Sequence, residues 1–190
     1  SDEMAMIKSK FEKIHGLPNC CGVVDTTHII MCLSSAEPNC KVWLDHEKNY
    51  SMVLQAVIDP DMRFTAIHMG PSGRTRILGT AGLFKLYKGT WLNGSKLNLS
   101  DGLDVGEYII GDAGYPLRPW LLTPYQLENG LSLSGAEVEF NRRHSAARAV
   151  ALRALARFKD TWKCLQGEGW HPSNKDEIIN TCCILYNIVI

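Results

Sequence analysis

The chain has 190 residues, which suits one domain with a substantial core. Its 20 Lys and Arg balance its 20 Asp and Glu, and a formal net charge of zero argues against strong electrostatic binding of nucleic acid by the chain as a whole. No apolar run reaches the length of a membrane span, and no signal-peptide core is read at the N-terminus, so neither membrane insertion nor secretion is expected.

Residues 4–14 have helical spacing, with Met4, Ile7, Phe11 and Ile14 on one stripe. Gly16 ends that helix and Pro18 prevents its resumption. A first strand is expected over about 22–32, and a turn-rich loop over 34–40. Tyr50 to Ile58 reads as a second strand, Asp59-Pro60-Asp61 as a turn, and Phe64 to Met69 as a third strand, giving a hairpin. Residues 74–88 read as a helix, 89–105 as a polar loop, and 107–111 as a fourth strand. Pro116, Pro119 and Pro124 then break regular structure. The longest helical pattern covers 136–164. A last apolar helix covers 175–190, behind Ser173 or Asn174 as N-cap. Helix, three strands, helix, strand and two helices fit a mixed α/β sheet flanked by helices, an order shared by RNase H-like sheets.

The seven cysteines are Cys20, Cys21, Cys32, Cys40, Cys164, Cys182 and Cys183. Their adjacent pairs are not metal-ligand spacings. Cys182 and Cys183 read as buried packing residues in a reducing compartment, cytosol or nucleus.

Two aspartates carry the chemical signal. Asp25 lies inside the apolar run Cys21 to Ile30, where an unpaired carboxylate is costly. Two readings stand: a structural carboxylate hydrogen-bonded near Thr26, Thr27 or His28, or a metal ligand. Asp112 follows Ile109-Ile110-Gly111 and opens Ala-Gly-Tyr-Pro, at the C-terminal end of a strand. Its readings are an Asx-turn or a second ligand. Together the two suggest a phosphoryl-transfer site. Mg²⁺ takes hard oxygen ligands, and two such ions clamp the attacking and leaving oxygens of an in-line displacement.

Four ordered motifs then resemble the PIF/Harbinger transposase nuclease domain. They are Val24-Asp25-Thr26-Thr27-His28-Ile29, Gly111-Asp112-Ala113-Gly114-Tyr115-Pro116, the run Phe140 to Arg148, and Cys182-Cys183-Ile184-Leu185-Tyr186-Asn187-Ile188. The resemblance covers about residue 17 to the end. It implies a single RNase H-like DDE-type domain over 1–190, with Mg²⁺ or Mn²⁺ in the ancestral activity. Asp25 and Asp112 match the first two catalytic, metal-holding acids. The third acid of the family is a glutamate, and Leu152 takes its place in Leu152-Arg153-Ala154-Leu155-Ala156-Arg157-Phe158-Lys159. Arg74 stands where active relatives carry an aspartate after the third strand. The upstream DNA-binding region of the family is not read in these residues.

The wording is closer still to a plant domesticated branch of that family. This implies a nuclear protein associated with Polycomb repressive complex 2 and a Myb/SANT-like partner, with catalysis and metal binding weak or lost and no resident cofactor. Two rival readings are an active Mg²⁺-dependent endonuclease using Asp25 and Asp112, and a non-catalytic DNA-binding module.

No neighbouring acid replaces the missing one on a continuous helix. Glu139 is roughly 20 Å from position 152 along such a helix, and Asp160 is about 12 Å away on a rotated face. At least one of the two remaining acids should therefore have a raised pKa or a local hydrogen-bond partner. Arg142, Arg143, Arg148, Arg153, Arg157, Lys159 and Lys163 make the long helix basic, either as a DNA-facing stripe or as a solvated face. His28 and His144 read as groups behind the ligands or as locally bonded histidines. Trp120, Leu121 and Leu122 read as a partner patch or as core. Trp43, Trp91, Trp162 and Trp170 show no base-stacking spacing.

Overall fold

The computed structural model describes residues 2–72, 92, 94, 96–100, 102–127, 132–166 and 172–190, the side chains of 172 and 173 excepted. The expected helix 74–88, together with Arg74, Trp91 and Trp170, lies outside the described residues.

Helix α1 spans Asp2–His15 and buries Met4, Ile7 and Phe11. Ile14, expected on that stripe, is 62% exposed. The buried face runs from Phe11 to His15, whose ring lies 6.1 Å from that of Phe11, because the stripe continues by four residues here. Gly16, at φ +65°, closes α1 with its amide on the Glu12 carbonyl and Leu17 N on the Phe11 carbonyl.

Strands β1 (Cys20–Ile30), β2 (Ser51–Ile58) and β3 (Phe64–Pro71) form an antiparallel meander, with Asp25 opposite Ala56 and Ala56 opposite Ile67. The expected hairpin is present, and its turn is held by Asp59 Oδ1, which accepts from the amides of Asp61 and Arg63. A 3₁₀ turn at Cys40–Trp43 ends the loop expected over 34–40. Within the expected polar loop, β4 (Leu97–Asn98) and β5 (Asp104–Val105) form a small separate ribbon.

Strand β6 (Tyr108–Ile110) pairs parallel to β1, and β7 (Leu121–Leu122) pairs parallel to β6. The sheet order is β3-β2-β1-β6-β7. Strand β7 corrects the expectation of broken structure after Pro116. Two residues between prolines carry no periodicity of their own, and the neighbouring β6 supplies their partners.

Helix α2 spans Gly135–Thr161, close to the expected 136–164. A capping box starts it: Ser134 Oγ accepts from Glu137 N, and Glu137 Oε2 accepts from Ser134 N. Helix α3 spans Pro172–Val189, so it begins before the expected N-cap at Ser173 or Asn174. A proline suits the first turn, where its missing N–H would lack a partner anyway.

Phe64 of β3, Phe158 of α2 and Tyr186 of α3 join the layers through ring contacts of 4.9–5.7 Å. Asn187 then clasps the Phe64 backbone twice: Oδ1 accepts from the amide and Nδ2 donates to the carbonyl, each at 2.8 Å. The tail motif therefore docks α3 on the sheet edge. Cys182 and Cys183 are buried as expected. No described helix is long and apolar enough to cross a membrane.

Candidate functional site

Asp25 sits mid-way along β1, 5% exposed, and Asp112 sits in the turn after β6. Because β1 and β6 are parallel neighbours, the two acids converge on one guanidinium. Arg148 Nη2 donates to Asp25 Oδ2 at 2.8 Å and lies 3.9 Å from Asp112 Oδ2. Local groups hold the other oxygens. Thr26 N donates to Asp25 Oδ1, and Gly114 N donates to Asp112 Oδ1, each at 2.8 Å. The Asx-turn and the capping of Asp25 from Thr26 are therefore both present, so each acid has a local hydrogen-bond partner where at least one was expected to.

The Gly-Asp-Ala-Gly-Tyr motif is explained by packing. A Cβ on Gly111 would lie 2.9 Å from Tyr115 Cδ2 and 3.0 Å from Val24 Cγ1. The glycine lets Tyr115 fold back over the strand end, where Gln55 Nε2 of β2 donates to its hydroxyl at 2.7 Å. Burial pushes the Tyr115 phenol up to about 12; the Gln55 bond opposes this, and Asp112 and Asp25 add to it. The phenol stays protonated beside the acids. His144 is buried near them too. Burial lowers its pKa, against the pull of the Gly111 and Leu122 carbonyls.

Leu152 lies one turn beyond Arg148 and is 52% exposed. It lines a recess of about 360 Å³ with Thr26, Thr27, Ala156, Lys159 and Asp160. Residue 152 thus faces the residues just after Asp25. Glu139 does not approach: it is paired with Arg142 and Arg143, which hold it down at about 2. Asp160 shares the recess.

Two metal ions need oxygen from three acids. Here Arg148 stands between Asp25 and Asp112, and the residue one helical turn beyond it is a leucine. Among the described residues no cluster of three or more metal-binding side chains forms. The residues present do not fit a metal pair.

Arg143 bridges Glu139 and the carbonyl of Gly16, the residue that closes α1, so it is a structural crosslink rather than a free basic group. His28 Nδ1 lies 2.9 Å from Ser51 Oγ, which donates to Asp45. Leu121 is core, and Trp120 packs against it. Leu122 lines a groove of about 690 Å³ with Tyr115, Pro124, Tyr125 and Phe140. Asn141 shapes this groove by clasping Tyr125 N and O, each at 2.9 Å. The aim of Arg148 was missed in the sequence, although its place four residues before Leu152 puts both on one helix face.

The sheet order and flanking helices define an RNase H-like nuclease fold. The chain belongs to the DDE superfamily endonuclease family, whose model matches residues 24–187. It is 53% identical over 190 residues to the Arabidopsis thaliana protein ALP1-like, covering 97% of this chain and 46% of that protein. It is 44% identical over 196 residues to Antagonist of Like Heterochromatin Protein 1 from Arabidopsis thaliana, covering 100% of this chain and 48% of that protein. The putative nuclease HARBI1 of Mus musculus is 28% identical over 195 residues, covering 98% of this chain and 51% of that protein. The chain spans about half the length of these curated relatives. No solved structure matches.

Proposed function

We propose that this domain is a domesticated, catalytically silent DDE nuclease fold that serves as a nuclear protein-interaction module, alongside a Myb/SANT-like partner and Polycomb repressive complex 2. One observation carries the loss of activity: Leu152 faces the strand of Asp25 where the family's third acid belongs. A hydrocarbon side chain ligates no metal, and the second ion of a two-metal site is left without its acid. The chromatin reading draws support from the relative named as an antagonist of a heterochromatin protein. Neutral overall charge and the engagement of Arg142, Arg143 and Arg148 with acids favour protein over DNA as the partner.

The test has two arms. Purified protein incubated with supercoiled plasmid and Mg²⁺ or Mn²⁺ should leave the plasmid intact, and co-purification with a Myb/SANT-like or Polycomb subunit should give one monodisperse peak. Metal-dependent nicking that Asp25→Asn abolishes would establish the rival, an endonuclease working with Asp25 and Asp112. That rival rests on the convergence of the two acids.

A further inference from the structure

We propose that Asp25, Arg148 and Asp112 form a metal-independent ion clamp that holds β1, the turn after β6, and α2 in register. This goes beyond the loss of activity and does not depend on it. Acids kept in a nuclease fold are ordinarily read as remnants of a metal site. The geometry here gives them a different task.

The three residues come from elements far apart in the chain, and the Arg148 guanidinium joins the two carboxylates. The Asp25 side chain is only 7% exposed, so its charge has little water to rely on, and the guanidinium at 2.8 Å supplies the compensation. Asp112 lies farther from that guanidinium, at 3.9 Å, and its side chain is 39% exposed. One positive charge facing two negative ones leaves a net negative charge, and it falls on the acid that solvent screens. Arg148 Nε is buried without a hydrogen-bond partner among the described residues. The acids therefore hold the guanidinium through its Nη2 end. Tyr115 and Gln55 tie the Asp112 turn to β2 alongside, so the clamp sits where three sheet strands and α2 come together.

A clamp and a metal site predict opposite signs. In a metal site stripped of metal, like-charged carboxylates repel, and neutralising one relieves the repulsion. In a clamp, neutralising Asp25 strands a partly buried guanidinium. The experiment is a double-mutant cycle of Asp25→Asn and Arg148→Met on the full chain, read by thermal denaturation in EDTA. Each single variant should lower Tm by about 5–10 °C, and the double variant should lose clearly less than the two losses added. An Asp25→Asn variant with unchanged or higher Tm, or additive losses, overturns the proposal.

If Asp25→Asn does not fold, the milder cycle of Asp112→Asn with Arg148→Lys decides by the same criterion of coupling against additivity. Calorimetric titration of Mn²⁺ into Arg148→Met adds a readout that packing alone would not move. Removal of the resident cation should give a measurable Mn²⁺ isotherm where wild type gives no heat. A variant as silent as wild type would show that Arg148 does not compete for the acids. Plasmid cleavage by wild type would sink the silent-nuclease reading and leave the sign of the EDTA cycle to judge the clamp.

Discussion

Arg148 and Leu152 are one helical turn apart on α2, and they divide the site between them. The guanidinium reaches Asp25 at 2.8 Å, while the leucine opens onto Thr26 and Thr27. Residues four apart on a helix share a face, so a carboxylate at 152 would enter the space beside Asp25.

Leu152→Glu should therefore restore metal binding at little structural cost. Position 152 is half exposed, and changes at such positions usually stay within about 0.5 kcal/mol. Calorimetric titration of Mn²⁺ should give no heat with wild type and a measurable isotherm with the variant. Adding Asp25→Ala should abolish it. Wild-type binding as tight as that of the variant would show that two acids suffice and that the leucine is irrelevant.

Gly111→Ala tests the packing beneath the Asp112 turn. The added methyl would press on Tyr115 Cδ2 and Val24 Cγ1 at 2.9 and 3.0 Å, closer than a real Cβ contact, so one of the two side chains must shift. Overpacking of this kind costs about 1–3 kcal/mol. A urea midpoint lower than wild type by the corresponding amount is expected, with an unchanged slope. An equal midpoint would mean that the Tyr115 ring moves freely, contrary to its bond with Gln55.

The sequence made some of these features readable and hid others for physical reasons. The β1–β2–β3 meander is readable because its strands are long and Asp59-Pro60-Asp61 marks the turn between the last two. Asp25 is conspicuous because a carboxylate in a run of buried apolar residues demands a partner. The identity of that partner is not local. It depends on how α2 crosses the sheet, which brings residue 148 to residue 25. Strand β7 is hidden for a similar reason, since Leu121 and Leu122 become a strand only by pairing with Ile109 and Ile110. The Asn187 clasp belongs with these, as its target, Phe64, lies 123 positions away.

Asn187→Ala should detach the end of α3 from the sheet edge. The change removes an acceptor for the Phe64 amide and a donor for its carbonyl at once. Each lost bond costs about 1 kcal/mol, more where the freed group stays buried, so a total of about 2–3 kcal/mol is expected. Tm should fall by about 4–10 °C, and amide exchange at Phe64 should accelerate more than in the middle of β2. A fall in Tm without faster exchange at Phe64 would place the effect elsewhere in α3.

Stability should decline at alkaline pH because of the buried thiols. Burial raises Cys21 and Cys183 to about 12 and Cys182 to about 11, from an ordinary value of 9.0, and it raises Cys20 as well. Above about pH 9 the unfolded chain releases these protons while the folded chain retains them, so the folded state binds more protons and stability falls as pH rises. The contribution is complete below pH 9 and is lost as pH climbs toward 12. Lys175 works in the opposite direction. Burial lowers it to about 8, so stability gains between about pH 8 and 10.5 as its folded form sheds a proton that the unfolded form keeps. Four thiols outweigh one amine, and a net loss is expected between pH 9 and 10.5, read as a falling urea midpoint. At pH 8 a thiol reagent should label exposed Cys32 and Cys164 quickly, and Cys20, Cys21 and Cys183 only on unfolding. Rapid native-state labelling of Cys20 or Cys21 would show that the β1 core opens on its own and would remove the basis for the alkaline loss.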